Sequence, residues 1–198
     1  MSDAGTLDAG RELRRGLRES RAAISAAARI AAAANVANRL LGLPTLRNAT
    51  SVAGYWAVGG ELPLHILMTR LAPATRYCLP ILHQPDRTLR FAPWRVGDPV
   101  IANRYNIPEP AHAMELLAPD ALDVVLLPLL GYTRRGDRVG TGGGWYDRSF
   151  AFRRESPAPP LLIGVGFACQ QIDAYAANAW DVPLDAVVTE RELLLCPR

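Results

Sequence analysis

Several residue types and motifs that would assign this chain to a common class are scarce or missing. Its 198 residues include three cysteines and three histidines, and the cysteines are widely spaced with no CxxC pair. That pattern argues against a disulfide framework and against a structural zinc site. No apolar run approaches the roughly 18 residues that a membrane-spanning helix needs. A formal charge of +3 is too weak to argue for nucleic acid as the partner.

Lysine is also absent, so the positive charge comes from arginine, whose planar guanidinium suits bidentate contacts with phosphates or carboxylates. The alanine-rich segment near the N-terminus is interrupted by Arg29 and Asn35 and follows several acidic residues, which suits neither a secretion signal nor an import signal. We therefore expect one cytoplasmic, monomeric domain over residues 1–198, with no membrane or nucleic-acid partner.

The most distinctive feature is a glycine cluster in GDRVGTGGGWYDR, residues 136–148, which places four glycines within five positions. Two aromatics and an acid follow directly, which is not the composition of a slack linker. An apolar run at residues 122–130 precedes the cluster, and Trp145, Ser149 and Phe152 follow at helical spacing. The order predicted is buried strand, loop, glycines, helix. Backbone N–H groups of such a turn, joined to those of a helix start, favour anions, above all phosphates.

The two common phosphate motifs do not fit. GxxxxGK[ST] is absent, and the glycines do not follow their strand at once, as a dinucleotide fingerprint requires, because residues 131–139 intervene. What remains is an arginine-rich approach, a glycine cradle and Asp147 near the first helical turn. Either Mg²⁺ lies between Asp147 and a phosphate, or Asp147 only stabilises a helix N-terminus. The residues alone leave both interpretations open.

The remaining pattern predicts a mostly parallel α/β sheet covered on both faces. Residues 7–23 form a predicted helix, and Ser25 is a candidate cap for a second helix that ends before Gly42. The first helix carries a stripe of arginines, which is either a solvated face or a binding surface: Arg11, Arg14, Arg18 and Arg21. Apolar runs then alternate with helical stretches, one of them around residues 173–179, and residues 108–116 and 154–160 are proline-marked loops. Ligands of such sheets collect at the carboxyl ends of the strands, where the glycine loop falls.

These residues resemble the 5-formyltetrahydrofolate cyclo-ligase family over nearly the whole chain. The strongest match is RVGTGGGWYD, residues 138–147, against the family pattern of Arg, aliphatic, Gly, any residue, Gly, Gly or Lys, Gly, aromatic, Tyr, Asp. Supporting blocks occur in the same order and spacing: GYWAVGGEL, YCLPIL with LRFAPW, YNIPEP and WDVPLDAVVTE. The resemblance implies a three-layer α/β/α sandwich like those of ribose-5-phosphate isomerase and CoA transferases.

The resemblance also implies a reaction: ATP- and Mg²⁺-dependent conversion of 5-formyltetrahydrofolate, with or without a polyglutamate tail, to 5,10-methenyltetrahydrofolate, with release of ADP and phosphate. By position, Arg138 and Tyr146 are the implied catalytic residues, and Asp147 and Asp181 the implied Mg²⁺ ligands. The implied ATP-binding residues are Arg11, Arg14, Arg138, Val139, Gly140, Thr141, Gly142, Gly143, Gly144, Trp145 and Tyr146. The implied folate-binding residues are Trp56, Glu61, Trp145 and Tyr146.

The implied chemistry needs no histidine, because phosphoryl transfer to the formyl oxygen depends on positioning and charge neutralisation. Glu61 can accept hydrogen bonds from pterin N–H groups; its alternative role is that of an acid at the start of a following helix. Gly10 stands where many members carry Lys, and Thr141 and Gly143 stand where some carry basic residues. These departures bear on affinity; at the first, either Arg11 shifts to replace the lysine or that contact is missing.

Two other function classes remain open on the residues themselves. A sugar-phosphate isomerase or CoA transferase relative would share the fold and need no ATP, but it leaves the two aspartates unexplained. A non-enzymatic nucleotide- or RNA-binding module would use the basic helix and glycine loop. Its aromatics, however, lie beside the glycines rather than along a basic face. Salt-dependent RNA binding without ATP turnover would favour this last class.

Overall fold

The computed structural model describes the backbone of residues 3–197, and side chains from residue 9 onward. It has five α-helices: α1 Asp3–Ala22, α2 Ala26–Leu41, α3 Pro44–Arg47, α4 His65–Met68 and α5 Trp145–Ser149. Three 3₁₀ helices cover Pro119–Ala121, Ala151–Arg154 and Ala168–Gln170. The strands are β1 Ser51–Ala53, β2 Arg76–His83, β3 Thr88–Pro93, β4 Val100–Ala102, β5 Pro108–Pro110, β6 Val124–Pro128, β7 Gly131–Tyr132, β8 Arg138–Val139, β9 Leu161–Val165, β10 Ala186–Val188 and β11 Leu193–Leu195.

A seven-stranded sheet forms the centre, in the order β11-β10-β9-β6-β1-β2-β3. Its inner pairs are parallel, whereas β11 and β3 pair antiparallel at the two edges. The separate hairpins β4–β5 and β7–β8 lie outside this sheet. The mostly parallel α/β fold predicted from the sequence is therefore confirmed.

Each inner strand buries side chains on both faces, as expected where both faces of a parallel sheet are covered. Val124 and Leu126 of β6 point into one core with α2, and Val125 and Leu127 point into another with Phe150. Long α2 therefore covers the first face. The second face is covered mainly by short α5, the 3₁₀ helix after it and adjoining loops.

The second helix follows its sequence signals closely. Ser25 caps α2 by accepting a hydrogen bond from the Ala28 N–H at 3.2 Å, and Gly42 follows the last helical residue. No helix in the part of the chain that the structure describes is long and apolar enough to cross a membrane.

The helical stretch predicted at residues 173–179 is wrong, and the loop predicted at residues 108–116 begins with β5. Residues 112–118 are irregular, and Leu117 exchanges backbone hydrogen bonds with Phe91 of β3 at 2.8 and 3.0 Å. Residues 173–179 are also irregular and mostly exposed. Helical spacing in such short segments supplies no buried face, so tertiary pairing decides the backbone.

Candidate functional site

A cleft of about 940 Å³ lies at the carboxyl ends of the central strands. Tyr55 and Trp56 follow β1 and line one side, and Pro128 and Leu129 end the β6 segment. The glycine loop also lines it. The cleft and the glycine loop thus lie at the edge of the sheet expected from the sequence, and ligand binding there stays a prediction.

The glycine loop follows the β7–β8 hairpin. The base of this hairpin is closed by a hydrogen bond from the Leu130 N–H to the Val139 carbonyl, at 2.8 Å. Gly142 has φ +101° and Gly144 has φ +63°, a region that favours glycine. A Cβ at Gly142 would meet no atom within 4 Å, so the loop is open at its centre. Glycine is favoured there by the backbone conformation.

The helix after the loop is shorter than the sequence pattern suggests. α5 has five residues, Trp145–Ser149, with Gly144 at its N-cap and no side-chain cap. After Phe150 the chain continues as a 3₁₀ turn. The dipole of one helical turn contributes little, so an anion at this loop would have to be held by the loop's own N–H groups and by nearby arginines.

Helix α1 supplies one of those arginines. Arg14 lines the cleft and donates from Nε to the Gly140 carbonyl at 3.1 Å. Arg11 is exposed and is not among the residues lining the cleft. Val139 is fully buried, packed with Leu17 of α1 and Leu130. The arginine stripe therefore divides: its inner members reach the body of the protein, and Arg11 and Arg18 are exposed.

Arg138 and Asp147 form an ion pair in the wall of the cleft, with Nη2 to Oδ1 at 2.8 Å. Their side chains are 8% and 17% exposed. The Arg138 guanidinium also lies 5.7 Å from the centre of the Tyr146 ring. Arg138 Nε is buried and has no hydrogen-bond partner among the described residues. The guanidinium is thus only partly satisfied.

Asp181 lies on the same cleft as Asp147. The Val182 N–H, one residue after Asp181, donates to Asp147 Oδ1 at 3.3 Å, so the segment carrying Asp181 is held against Asp147. Asp181 Oδ2 accepts hydrogen bonds from the Asn178 N–H at 2.8 Å and its side-chain amide at 3.3 Å. Residues 9–197 contain no cluster of three or more metal-ligating side chains. A cation here would need oxygens from a ligand or water as well.

Glu61 and Trp56 also line the cleft. Glu61 Oε2 accepts a hydrogen bond from the Val58 N–H at 3.1 Å. Burial raises the pKa of Glu61, while that hydrogen bond and the Arg21 charge lower it. The alternative role as a helix-start acid is not supported, because α4 begins only at His65. The Trp56 ring contacts Trp94 edge to face at 5.6 Å, which fixes its orientation.

Several lining residues were given no role from the sequence. The β4–β5 hairpin brings Tyr105 to 6.3 Å from the Trp145 ring. Glu109 Oε1 anchors that hairpin by accepting from the Leu82 N–H at 3.0 Å and the Asn103 amide at 2.8 Å. In the sequence, only the YNIPEP block, residues 105–110, pointed to this hairpin. Tyr175 lies near Asp181. Burial, and to a smaller extent the Asp181 charge, raises the pKa of the Tyr175 hydroxyl.

The fold and site define an α/β protein whose cleft is lined by an arginine-flanked glycine loop, two aspartates, several aromatic side chains and a half-buried glutamate. The model of the 5-formyltetrahydrofolate cyclo-ligase family matches residues 7–190. The chain belongs to this family and is an enzyme. This membership favours the ligase interpretation over the isomerase and CoA transferase alternatives.

Named relatives agree with this assignment. The 5-formyltetrahydrofolate cyclo-ligase of Haemophilus influenzae is 30% identical over 87% of this chain and 93% of its own length. The 5-formyltetrahydrofolate cyclo-ligase of Escherichia coli K12 is 33% identical over 77% of this chain and 85% of its own length. The solved 5,10-methenyltetrahydrofolate synthetase of Aquifex aeolicus shares the fold, with a TM-score of 0.80 over 96% of this chain and 93% of that chain at 24% identity.

Proposed function

We propose that the protein converts 5-formyltetrahydrofolate to 5,10-methenyltetrahydrofolate, using ATP with Mg²⁺. The observation that carries this proposal is the set of residues that line the cleft described above. The glycine loop, Arg138, Trp56 and Glu61 all line it. Family membership supports the folate substrate.

Residues 140–144 are the proposed phosphate site. The loop centre is open, and Arg14 and Arg138 flank it. The unpartnered Nε of Arg138 supports this assignment, because a buried donor without a partner is costly until a ligand oxygen accepts from it. Bidentate guanidinium–phosphate contacts would then share Arg138 between Asp147 and the nucleotide.

Asp147 and Asp181 are the proposed Mg²⁺ ligands. Mg²⁺ in nucleotide sites usually takes one or two carboxylates and completes its shell with phosphate and water oxygens. The two protein contacts of Asp147 described here both use Oδ1, which leaves Oδ2 for a cation. The absence of a third metal-ligating side chain among residues 9–197 fits a metal that arrives with the nucleotide.

In the proposed reaction, ATP supplies the phosphoryl group that makes the formyl oxygen a leaving group. N10 then bonds to the formyl carbon as the C–O bond breaks, phosphate departs and the N10 proton passes to solvent, so ADP and phosphate balance the reaction. Arg138 neutralises charge on the transferred group. Burial keeps the pKa of Tyr146 above its ordinary value, so its hydroxyl stays protonated and can donate. Glu61 accepts from the pterin N–H groups, and Trp56 supplies apolar surface.

The test is direct: purified protein is mixed with 5-formyltetrahydrofolate, Mg²⁺ and ATP, and methenyl-folate absorbance is followed with ADP release. Turnover should require all three additions. Matched reactions omit ATP, or replace Mg²⁺ with excess chelator. Full turnover in chelator would remove the metal from the proposal. Product without ATP would remove the phosphoryl step.

A further inference from the structure

Arg21, near the end of α1, is a buried arginine to which the proposed reaction gives no role. Its residue is 5% exposed. Nη2 donates to the Gly59 carbonyl at 2.9 Å, and Nη1 lies 3.5 Å from the Leu129 carbonyl. Nε is buried and has no hydrogen-bond partner in the described part of the chain. Because burying a guanidinium is costly, this position calls for a reason beyond packing.

The carbonyl that Arg21 holds belongs to a turn built on two glycines. Gly59 and Gly60 have φ +57° and +82°, and the Glu61 N–H closes the turn on the Val58 carbonyl at 3.1 Å. Arg29 of α2 donates to the next carbonyl, that of Gly60, and to the Arg21 carbonyl. Two helices therefore hold consecutive carbonyls of the turn that ends at Glu61.

Arg21 also acts on Glu61 by its charge. Burial raises the pKa of the Glu61 carboxyl, and the Arg21 charge opposes that rise. The other titratable groups facing Glu61 are Tyr55 after β1 and Tyr146 in α5. Burial raises the pKa of both hydroxyls, so both stay neutral near pH 7. Arg21 therefore supplies a positive charge that lowers the pKa of Glu61.

We propose that Arg21 is a positioning residue for the folate site: it fixes the Gly59–Gly60 turn and so places the Glu61 carboxylate to accept hydrogen bonds from the pterin. This inference rests on the proposed function, because it takes Glu61 as the folate contact. It predicts that Arg21 governs folate affinity without touching folate, and that nucleotide affinity is independent of it.

The experiment measures separate dissociation constants for 5-formyltetrahydrofolate and ATP across a pH series. The variants are Arg21→Met, which removes the charge, and Arg21→Lys, which keeps it but cannot reproduce the guanidinium geometry. Arg18→Met is the control, because it removes an exposed charge from the same helix. Arg21→Met should weaken folate binding about ten-fold, the scale of losing a charged hydrogen bond, and leave ATP binding unchanged. Arg18→Met should behave like the parent.

The pH series separates positioning from general damage. Folate binding needs ionised Glu61, so affinity is present above the pKa of Glu61 and is lost as the pH falls through it. Removing the Arg21 charge raises that pKa, so Arg21→Met should lose folate affinity at a higher pH than the parent. Arg21→Lys should keep the parent's midpoint with weaker folate binding.

Two results would overturn the inference. One is a folate affinity like the parent's in both Arg21→Lys and Arg21→Met. The other is an equal loss of folate and ATP affinity in the folded variants. If Arg21→Met does not fold, the affinities and midpoint of Arg21→Lys decide in the same way. Glu61→Gln identifies the source of a failure. If it leaves folate affinity unchanged, the folate assignment in the proposed function fails. If it weakens folate binding while the Arg21 variants match the parent, only the inference fails.

Discussion

Two Arg–Asp ion pairs in the C-terminal part of the chain lie in different environments. Arg153 and Asp185 pair through two contacts, at 3.0 and 2.9 Å, with Arg153 fully buried. Arg153 also donates to the Pro160 and Ser156 carbonyls. Arg138 and Asp147 pair through one contact of 2.8 Å and line the cleft.

The difference lies in how completely each guanidinium is satisfied. Every nitrogen of Arg153 has an acceptor, and Asp185 also accepts from the Leu162 N–H of β9 at 2.7 Å. Arg138 has a buried Nε without a partner among the described residues. A saturated pair holds structure, whereas an unsaturated pair beside an open glycine loop can exchange partners with a ligand.

The largest effect is expected from Arg153→Met. It leaves Asp185 buried without its cation, which should reduce the free energy of unfolding by about 3 to 5 kcal/mol. Denaturant unfolding measures this, and ligand affinities of the remaining folded protein should match the parent. Arg191→Met is the control, because Arg191 is 81% exposed and lies 3.9 Å from Glu190. A loss below about 1 kcal/mol would show that the Arg153 pair is not the structural one.

Asp147→Asn and Asp181→Asn should come next, with turnover lower by more than about 100-fold, because changing a metal ligand should cost at least as much as changing its neighbours. A helix-end role for Asp147 would cost only about 0.3 to 1 kcal/mol of stability. The measurement is turnover against Mg²⁺ concentration, with circular dichroism as the folding control. Both variants should need more Mg²⁺. An unchanged Mg²⁺ dependence in both would end the shared-metal hypothesis.

Arg138→Ala should weaken ATP binding about 10- to 100-fold, the scale of charged hydrogen bonds, with a smaller effect on folate. Separate titrations of the two ligands measure this. Asp147 also loses its partner, so the double variant Arg138→Ala/Asp147→Asn tests whether the loss comes from repulsion by the exposed carboxylate. Unchanged ATP affinity in the single variant would contradict the phosphate assignment.

The smallest expected effect is that of Glu61→Gln, about ten-fold weaker folate binding with ATP affinity retained. The amide keeps the shape but loses the charge and one acceptor oxygen. The Val58 contact uses one oxygen, so the turn can persist in the variant. Equal losses for both ligands would indicate that the turn itself has collapsed.

Much of the fold could be predicted because its signals are local. The apolar run of β6 serves both faces of the sheet, and Ser25 and Gly42 bound α2 through their own backbone chemistry. The helix predicted at residues 173–179 failed because the segment has helical spacing but is mostly exposed, with no buried face. The five-residue α5 was overestimated because its periodicity continues into a 3₁₀ turn.

The sequence by itself determined the family and the residue types of the site, because a long motif of glycines, Arg138, Tyr146 and Asp147 lies in one short segment. Only the tertiary structure decided how these residues are joined. Arg14 meets Gly140 from 126 positions away, and Arg21 holds the turn before Glu61. Such contacts depend on how α1 packs over the sheet's edge, and no local spacing encodes them. The same packing buries Arg21 and leaves Arg11 exposed, although both belong to one arginine stripe.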